Sequence, residues 1–234
     1  EDLPEWITSS GSSVSIPFNG SVANISVKPK ALARTRRWLA DNDFDVVHVH
    51  DPVVPSVSMA AAMLSTAPLV GTFHAALGRS VSRAIASAPM RLYMERIGVR
   101  IAVSEEARRT LIEHHGGDAV IIPNGVETAS FRTAQPLEQW VATDERPVIV
   151  FLGRLDEPRK GLSIFAGAIA GVLERFPGAR FLIAGRGDAP EIRQAVERFG
   201  DSVSFLGGIS DEEKESLLAG AHIYVAPQTG GESF

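Results

Sequence analysis

The chain has 234 residues, of which 44% are hydrophobic and 22% are charged, and its formal net charge is -5. This is the composition of an ordinary globular protein, and the acidic balance argues against a general nucleic-acid binder, which is normally basic. The absence of cysteine excludes disulfides and thiolate metal sites and favours a reducing compartment. The sequence also lacks the run of about 18 apolar residues that a membrane span requires.

Short apolar segments rich in β-branched residues alternate with longer segments of helical character. The predicted strands are Phe44–Val49, Leu69–Phe73, Ile97–Val103, Ala119–Ile122, Val148–Leu152, Arg180–Ala184, Val203–Leu206 and Ile223–Ala226. The predicted helices are Lys30–Ala40, Pro55–Ser65, Ser80–Glu95, Glu105–His115, Gly161–Phe176, Pro190–Phe199 and Asp211–Leu218. This alternation, with strands that are continuously apolar, predicts parallel sheets covered on both faces.

The alternation stops once, in the polar segment Val126–Arg146, which has no clear period and is predicted to link two sheets. We therefore expect an α/β fold with two doubly wound domains, residues 1–127 and 128–234. The first would lack its leading strand and helix, and the second its last third, so we expect the chain to be a fragment. Ligands of such sheets bind beyond the carboxyl ends of the strands, which predicts a site in a cleft between the domains.

Two cations lie at the carboxyl end of the predicted strand Val148–Leu152. Arg154 follows the strand, and Lys160 lies just before the next predicted helix. A helix N-terminus attracts anions, and a guanidinium fork with an ammonium group suits a diphosphate. The alternative is that both side chains are solvated loop cations.

Two further strand ends carry polar groups of interest. After Ile223–Ala226, Gly231 allows a close backbone approach to a ligand, and Glu232 is suited to accept hydrogen bonds from sugar hydroxyls. Glu232 would equally complement a helix dipole. His74 follows Leu69–Phe73, where an imidazole either hydrogen-bonds a sugar hydroxyl or serves a structural purpose.

An earlier strand end contains His48 and His50, followed by Asp51. A His-x-His pair on a strand places both rings on one face, but the sequence offers no third ligand. We therefore assign no metal and interpret His48 as a packing or positioning residue.

The segment Lys28–Leu39 combines five cations with Trp38 in an amphipathic helical pattern. Such a segment is expected on an anionic membrane surface. The alternative is a solvated basic face with Trp38 and Leu39 in the core.

In this order and spacing, several motifs resemble the retaining GT-B glycosyltransferases of family four. They are Gly153-Arg154, Glu157–Gly161, Gly185–Asp188 and Gly231–Phe234. More narrowly, the chain resembles the actinobacterial phosphatidylinositol alpha-mannosyltransferases. This second resemblance is carried by Pro17–Ser21, Asp45–His50, Thr72–His74, Ile122–Val126 and Asp156–Gly161, and it covers nearly the whole chain.

The resemblance implies retaining mannosyl transfer from GDP-mannose to the inositol of phosphatidylinositol, in the synthesis of phosphatidylinositol mannosides. Residues 1–127 would form the acceptor side, and residues 128–234 would bind the nucleotide sugar. The implied catalytic residues are His74, Arg154, Lys160 and Glu232. The implied donor-binding residues are Arg154, Arg159, Lys160, Ile209, Ser210, Asp211, Lys214, Gly231 and Glu232.

On the acceptor side, the resemblance implies that Phe18 and Asn19 bind inositol and that Arg34, Arg36 and Arg37 face an anionic membrane. It implies no required cofactor, with Mg²⁺ optional and no metal site on the protein. The implied location is cytoplasmic, peripheral on the inner face of the cell membrane. Two departures concern the acceptor: Phe18 stands where tyrosine is usual, and Asn24 stands where an arginine often pairs with the inositol phosphate.

Two other functions remain open from the residues alone. One is a family-four glycosyltransferase that uses another nucleotide sugar and a soluble or different lipid acceptor. The other, from a different class, is an inactive nucleotide-sugar-binding module. Turnover separates the enzymes from the module, and dependence on lipid separates the two enzymes.

Overall fold

The computed structural model describes residues 4–18, 21–26, 28–74 and 91–230. The chain divides into two compact units, the first reaching Asn124 and the second running Gly125–Gly230. The predictions for Asn19, Gly231 and Glu232 lie outside the described residues. Phe18 ends a described strand, but its side chain also lies outside the described part of the molecule.

The first unit contains an antiparallel hairpin and a parallel sheet. The hairpin pairs β1 (Val14–Phe18) with β2 (Ser21–Ile25). The sheet contains, in spatial order, β3 (Val47–His50), β4 (Leu69–Phe73), β5 (Ile97–Ala102) and β6 (Val120–Ile121), all parallel. The described helices are α1 (Pro29–Asp41), α2 (Val57–Leu64), α3 (Arg91–Met94) and α4 (Glu105–His115).

Local sequence explains where the helices of this unit begin and end. The Ser56 hydroxyl caps α2 by accepting a hydrogen bond from Met59 N, and the Ser104 hydroxyl caps α4 in the same way. Gly116, with φ of 77°, ends α4. Strands β3, β4 and β5 share one apolar core with α4, and this core includes Val47, Leu69, Phe73, Ile97 and Leu111. This core holds the carboxyl ends of β3 and β4 side by side.

The second unit is built on a parallel sheet with the order β10-β7-β8-β9. Its strands are β7 (Val148–Leu152), β8 (Arg180–Ala184), β9 (Val203–Gly207) and β10 (Ile223–Tyr224). Its helices are α5 (Ala129–Thr133), α6 (Leu162–Arg175), α7 (Pro190–Val196) and α8 (Asp211–Gly220). Short 3₁₀ turns occur at Glu138–Trp140, Pro158–Lys160 and Glu197–Ser202.

The order of this sheet identifies the position of a ligand site within the unit. From β7 the chain adds β8 and β9 on one side and then returns to add β10 on the other. Doubly wound sheets bind ligands at such a reversal, beyond the carboxyl ends of the two strands that flank it. Those strands are β7, which leads into Arg154, and β10. The predicted α/β class with two parallel sheets is therefore confirmed.

The segment predicted as a linker, Val126–Arg146, has more structure than its polarity indicates. Trp140 is buried and packs with Val148, Val150 and Leu217 of the second unit. The Ser216 hydroxyl accepts a hydrogen bond from Leu137 N and donates one to Gln135 O, both at 2.9 Å. The segment thus contributes to the core of the second unit, and the prediction of a linker was wrong. Its apolar residues are irregularly spaced, so the sequence pattern did not indicate this packing.

Candidate functional site

Backbone contacts bring the loops after β7, β8 and β10 together. Gly153 N donates to Ala184 O at 3.1 Å, and Leu155 N donates to Arg186 O at 2.9 Å. Thr229 N, beyond β10, donates to Arg159 O at 3.0 Å. The three loops therefore form one surface at the carboxyl edge of the sheet.

Two glycines make this packing sterically feasible. Gly185 has φ of 152°, and a Cβ there would overlap the carbonyl group of Gly153. Gly161 has φ of 78°, and a Cβ there would overlap the carbonyl group of Pro227. Both angles lie in the region that favours glycine, so glycine is required for conformation and for space. The sequence motifs contained both glycines, but their contacts depend on the sheet order.

A network of ion pairs holds the arginines that are predicted to bind a diphosphate. Arg154 Nη2 lies 2.6 Å from Asp156 Oδ2, and Arg154 Nε lies 3.3 Å from Glu157 Oε1. Arg159 Nη2 lies 2.9 Å from the other oxygen of Glu157. The Glu157 side chain is only 6% exposed, whereas that of Arg154 is 44% exposed. Glu157 thus orients two arginines, of which Arg154 is exposed and Arg159, at 19% exposure, is mostly buried.

Electrostatics in this network favour the charged forms of Arg154 and Asp156. The hydrogen bond from Arg154 lowers the pKa of Asp156, and the same contact raises the pKa of Arg154. Because Arg154, Arg159 and Lys160 outnumber the two carboxylates, the loop retains a positive charge. Our sequence reasoning had not assigned a role to Glu157, whose bridging position depends on the folded loop.

Lys160 lies at the start of α6, the helix that leads away from this loop. Its backbone N donates to Glu157 O at 3.0 Å, which closes the 3₁₀ turn Pro158–Lys160. Among the described residues, no side chain caps the N-terminus of α6, which begins after Gly161. Uncapped N-terminal amides and an adjacent ammonium group favour a bound anion.

The four predicted nucleoside contacts lie at the N-terminus of α8. Ser210 forms a capping box with Glu213, so the Ser210 hydroxyl already accepts a hydrogen bond from Glu213 N at 3.1 Å. Lys214 Nζ lies 2.6 Å from Asp211 Oδ1, which lowers the pKa of Asp211. Ile209 packs against the Trp140 core. The structure brings the four residues together, and their contact with a nucleoside remains a prediction.

In the first unit, three histidines stack at the carboxyl ends of β3 and β4. His50 Nδ1 lies 2.8 Å from His74 Nε2, with ring centroids 5.1 Å apart. The His48 ring stacks against the His50 ring with centroids 4.6 Å apart, and His48 Nε2 lies 2.7 Å from Thr72 Oγ1. His48 therefore has the packing and positioning contacts predicted for it.

Asp51 fixes the backbone beside this stack. Its carboxylate accepts a hydrogen bond from His74 N at 2.8 Å, and its own N donates to Thr72 O at 2.8 Å. Asp51 has φ of 46°, which aspartate tolerates better than most residues. Burial lowers the pKa of His50, as do the neighbouring rings of His48 and His74. Over the described ranges, no group of three or more His, Cys, Asp or Glu side chains has the arrangement of a metal site.

The predicted membrane arginines lie on α1, the first helix. Arg34 Nη1 donates to Ser10 O at 3.4 Å, whereas Arg36 and Arg37 are exposed. The last two border a surface depression that also includes Leu32 of α1 and Leu64 of α2. Trp38 is partly exposed and lies 4.6 Å from the Phe44 ring. None of the described helices has the length and apolar character needed to cross a membrane.

Comparison with known proteins identifies the sequence family. The family model Glycosyltransferase Family 4 matches residues 4–130, more than half of the chain, and the model Glycosyl transferases group 1 matches residues 146–234. The phosphatidyl-myo-inositol mannosyltransferase of Mycolicibacterium smegmatis is 42% identical over 232 residues, which cover 99% of this chain. The chain spans 60% of the length of that relative.

A more distant relative is named as the GDP-mannose-dependent alpha-(1-6)-phosphatidylinositol monomannoside mannosyltransferase of Mycobacterium tuberculosis. It is 28% identical over 210 residues, which cover 85% of this chain and 54% of the relative.

Solved structures resemble the fold at low sequence identity. A glycosyltransferase from Rickettsia africae superposes with a TM-score of 0.69 and 19% identity, covering 91% of this chain and 60% of that one. The Anabaena protein HepE, in complex with UDP, also has a TM-score of 0.69, with 18% identity and coverage of 86% and 57%. These likenesses confirm the GT-B fold class. From the family-model match over residues 4–130, the chain belongs to glycosyltransferase family 4.

Proposed function

We propose that the protein transfers mannose from GDP-mannose to an inositol hydroxyl of phosphatidylinositol, with retention of anomeric configuration, in the synthesis of phosphatidylinositol mannosides. The acceptor assignment is supported by the 42% identity to a phosphatidyl-myo-inositol mannosyltransferase over nearly the whole chain. The donor assignment is supported by a relative whose name includes GDP-mannose.

The observation that carries a transferase function is the cation cluster at the carboxyl end of β7. Breaking the bond between the anomeric carbon and the phosphate oxygen develops negative charge on the diphosphate. Arg154, Arg159 and Lys160 supply positive charge there, and the uncapped N-terminus of α6 adds oriented amides. Because Glu157 orients both guanidinium groups, little reorganisation is needed when that charge develops.

The proposed chemistry needs no protein nucleophile. The anomeric carbon loses its bond to the phosphate oxygen and gains a bond to the inositol oxygen on the same face. The hydroxyl proton passes to the departing diphosphate. In this proposal the cations and the N-terminal amides of α6 stabilise the departing diphosphate, and Mg²⁺ is not required. His74 hydrogen-bonds the donor sugar near the reacting carbon.

The remaining substrate contacts follow the family resemblance. In this proposal Gly231 and Glu232 hold the mannose, and Phe18 and Asn19 hold the inositol. The first turn of α8, with Ile209, Ser210, Asp211 and Lys214, lies against the nucleoside. Since the Ser210 hydroxyl already caps the helix, the exposed Asp211 carboxylate is the group in this turn best suited to read the base.

The acceptor is a lipid, so the proposal includes binding to the inner face of the cell membrane. Arg34, Arg36 and Arg37 provide the positive charge for anionic headgroups. Two features of the surface support this role: Arg36 and Arg37 are exposed, and apolar Leu32 and Leu64 lie beside them. A mixed apolar and cationic surface of this kind suits the interfacial region of a bilayer.

A turnover screen tests the proposal. The full-length protein is incubated with GDP-mannose or UDP-sugars, each paired with phosphatidylinositol vesicles or with vesicles lacking inositol lipid. The expected result is mannosylated phosphatidylinositol from the GDP-mannose reaction alone. Turnover only with a UDP-sugar would overturn the donor assignment; UDP is the nucleotide bound in the Anabaena structure. Nucleotide binding without turnover would indicate an inactive module.

A further inference from the structure

One nitrogen of the His74 ring is held by another histidine. His74 Nε2 lies 2.8 Å from His50 Nδ1. Throughout the described ranges, no hydrogen bond involves His74 Nδ1, which leaves that nitrogen as the one available to a ligand. His74 Nε2 is therefore engaged by another side chain of the protein, and His74 Nδ1 is the nitrogen that a ligand can contact.

The hydrogen bond couples the protonation of the two rings. A neutral imidazole has one N–H and one lone pair, so a bond between two ring nitrogens requires one donor and one acceptor. If His50 donates from Nδ1, neutral His74 carries its proton on Nδ1 and presents a donor outward. If His50 accepts, His74 presents an acceptor outward. In either arrangement, the state of His50 determines what His74 offers to a substrate.

The backbone holds both rings in place for this contact. In the parallel pairing of β3 with β4, His50 lies opposite Thr72, two residues before His74. The Asp51 carboxylate accepts from His74 N, and Asp51 N donates to Thr72 O. Because both ends of the pair are tied to the sheet, little conformational freedom is lost when the rings bond.

The surroundings of His50 lower its pKa, which favours the neutral form of this ring in the pair. Burial lowers the pKa of His50, and so do the rings of His48 and His74, while Asp51 opposes these effects. If both rings were protonated, an N–H group would lie on each side of the contact, no acceptor would remain, and the hydrogen bond would break. The arrangement is therefore intact at neutral pH and is lost on acidification.

We propose that His50 is a positioning residue that fixes the tautomer of His74 through this ring-to-ring hydrogen bond. The inference rests on the proposed function in that His74 touches the donor sugar, but the tautomer itself is measurable without turnover. His50 has no contact with substrate in this proposal, and its effect passes through His74.

Ring ¹⁵N NMR of the full-length protein, labelled at histidine, measures the tautomer directly. Two variants of His50 separate the hydrogen bond from the stacking. His50→Phe retains a stacked ring without a polar atom, whereas His50→Asn places an amide atom near the position of Nδ1. The expected spectra show one tautomer of His74 in the wild type and in His50→Asn, and averaged tautomers in His50→Phe. His48→Phe, which removes the bond to Thr72, is expected to leave the His74 signals in the single-tautomer pattern.

Kinetics of the same variants provide the functional readout. His50→Phe is expected to lower kcat by about tenfold, as loss of one positioning hydrogen bond would, with little change in KM for the donor. His50→Asn is expected to recover most of that loss. Averaged tautomers in the wild type, or unchanged His74 signals in His50→Phe, would overturn the inference. If the wild type transferred no mannose, the proposed function would be overturned instead. The NMR spectra would still test the tautomer of His74, because they do not depend on turnover.

Discussion

The loop after β7 and the histidine stack at the ends of β3 and β4 are organised by different forces. In the loop, a buried carboxylate, Glu157, holds two arginines, of which Arg154 remains exposed. In the stack, the rings of His50 and His74 are joined by one ring-to-ring hydrogen bond, and the Asp51 carboxylate holds the backbone of His74. Charge suits the binding of a diphosphate, whereas a fixed tautomer suits the recognition of a hydroxyl.

The largest expected effect concerns charge in the loop. Lys160→Ala is expected to lower kcat/KM about 100- to 1000-fold, which corresponds to about 2.7–4 kcal/mol of transition-state stabilisation, as for one lost oxyanion donor. Steady-state kinetics of the full-length protein provide the measurement. Lys160→Arg, which retains the charge, is the control and should lose much less activity. Full activity in Lys160→Ala would contradict the proposed role of the cluster.

A second prediction tests whether backbone packing supports the loop. Gly185→Ala is expected to lower the free energy of unfolding by about 3 kcal/mol, because a Cβ would overlap the Gly153 carbonyl and the φ of 152° disfavours alanine. Urea denaturation followed by circular dichroism measures the change. Gly167 in α6 has open space around it, so Gly167→Ala should stabilise the protein by about 0.5–1 kcal/mol. Equal effects at both positions would refute the packing argument.

The buried and exposed carboxylates that bind Arg154 provide a third comparison. Glu157→Gln is expected to raise the donor KM about tenfold, because Arg154 and Arg159 lose the charged partner that orients them. Asp156 is 41% exposed, so Asp156→Asn should change the donor KM by less than about threefold. Donor titrations with both variants measure the difference. A larger effect at Asp156 would show that burial does not decide which carboxylate orients the arginine.

The smallest expected effect is the pH dependence of stability in the histidine stack. The pKa of His50 is lower in the folded protein, so the unfolded chain binds the proton first as the pH falls below about 6.5. The free energy of unfolding should therefore fall between pH 7.5 and 5.5, and it should fall less steeply in His50→Asn. Denaturant titrations at both pH values test this difference. Identical slopes would contradict a lowered pKa.

The strands and the loop cations were predictable because their signals are local. Leu69–Phe73, Val148–Leu152 and Arg180–Ala184 form as predicted, since strands buried on both faces are continuously apolar. Arg154 lies at the carboxyl end of its strand simply because it follows that strand in sequence. The hairpin of β1 and β2 was not predicted, because serine, proline and asparagine interrupt the apolar residues of its two short strands.

Other features required information that no local pattern contains. Trp140 belongs to the core of the second unit, although its segment has no apolar period and was predicted as a linker. Glu157 lies within a motif, but its bridging contact depends on the turn that follows it. His50 and His74 are separated by a helix in the sequence, so their hydrogen bond depends on the register of β3 with β4.

By itself, the sequence determined the alternation of strands and helices, the parallel sheets and the chemical types of the residues at the strand ends. It did so because apolar periodicity and strand-end position depend on neighbours along the chain. Only the tertiary structure decided which carboxylate holds Arg154, which histidine holds His74 and which carbonyl groups require glycine beside them. The histidine and glycine contacts join segments that are distant in sequence and follow from strand order and register, whereas the ion pairs of Arg154 depend on the conformation of a single loop.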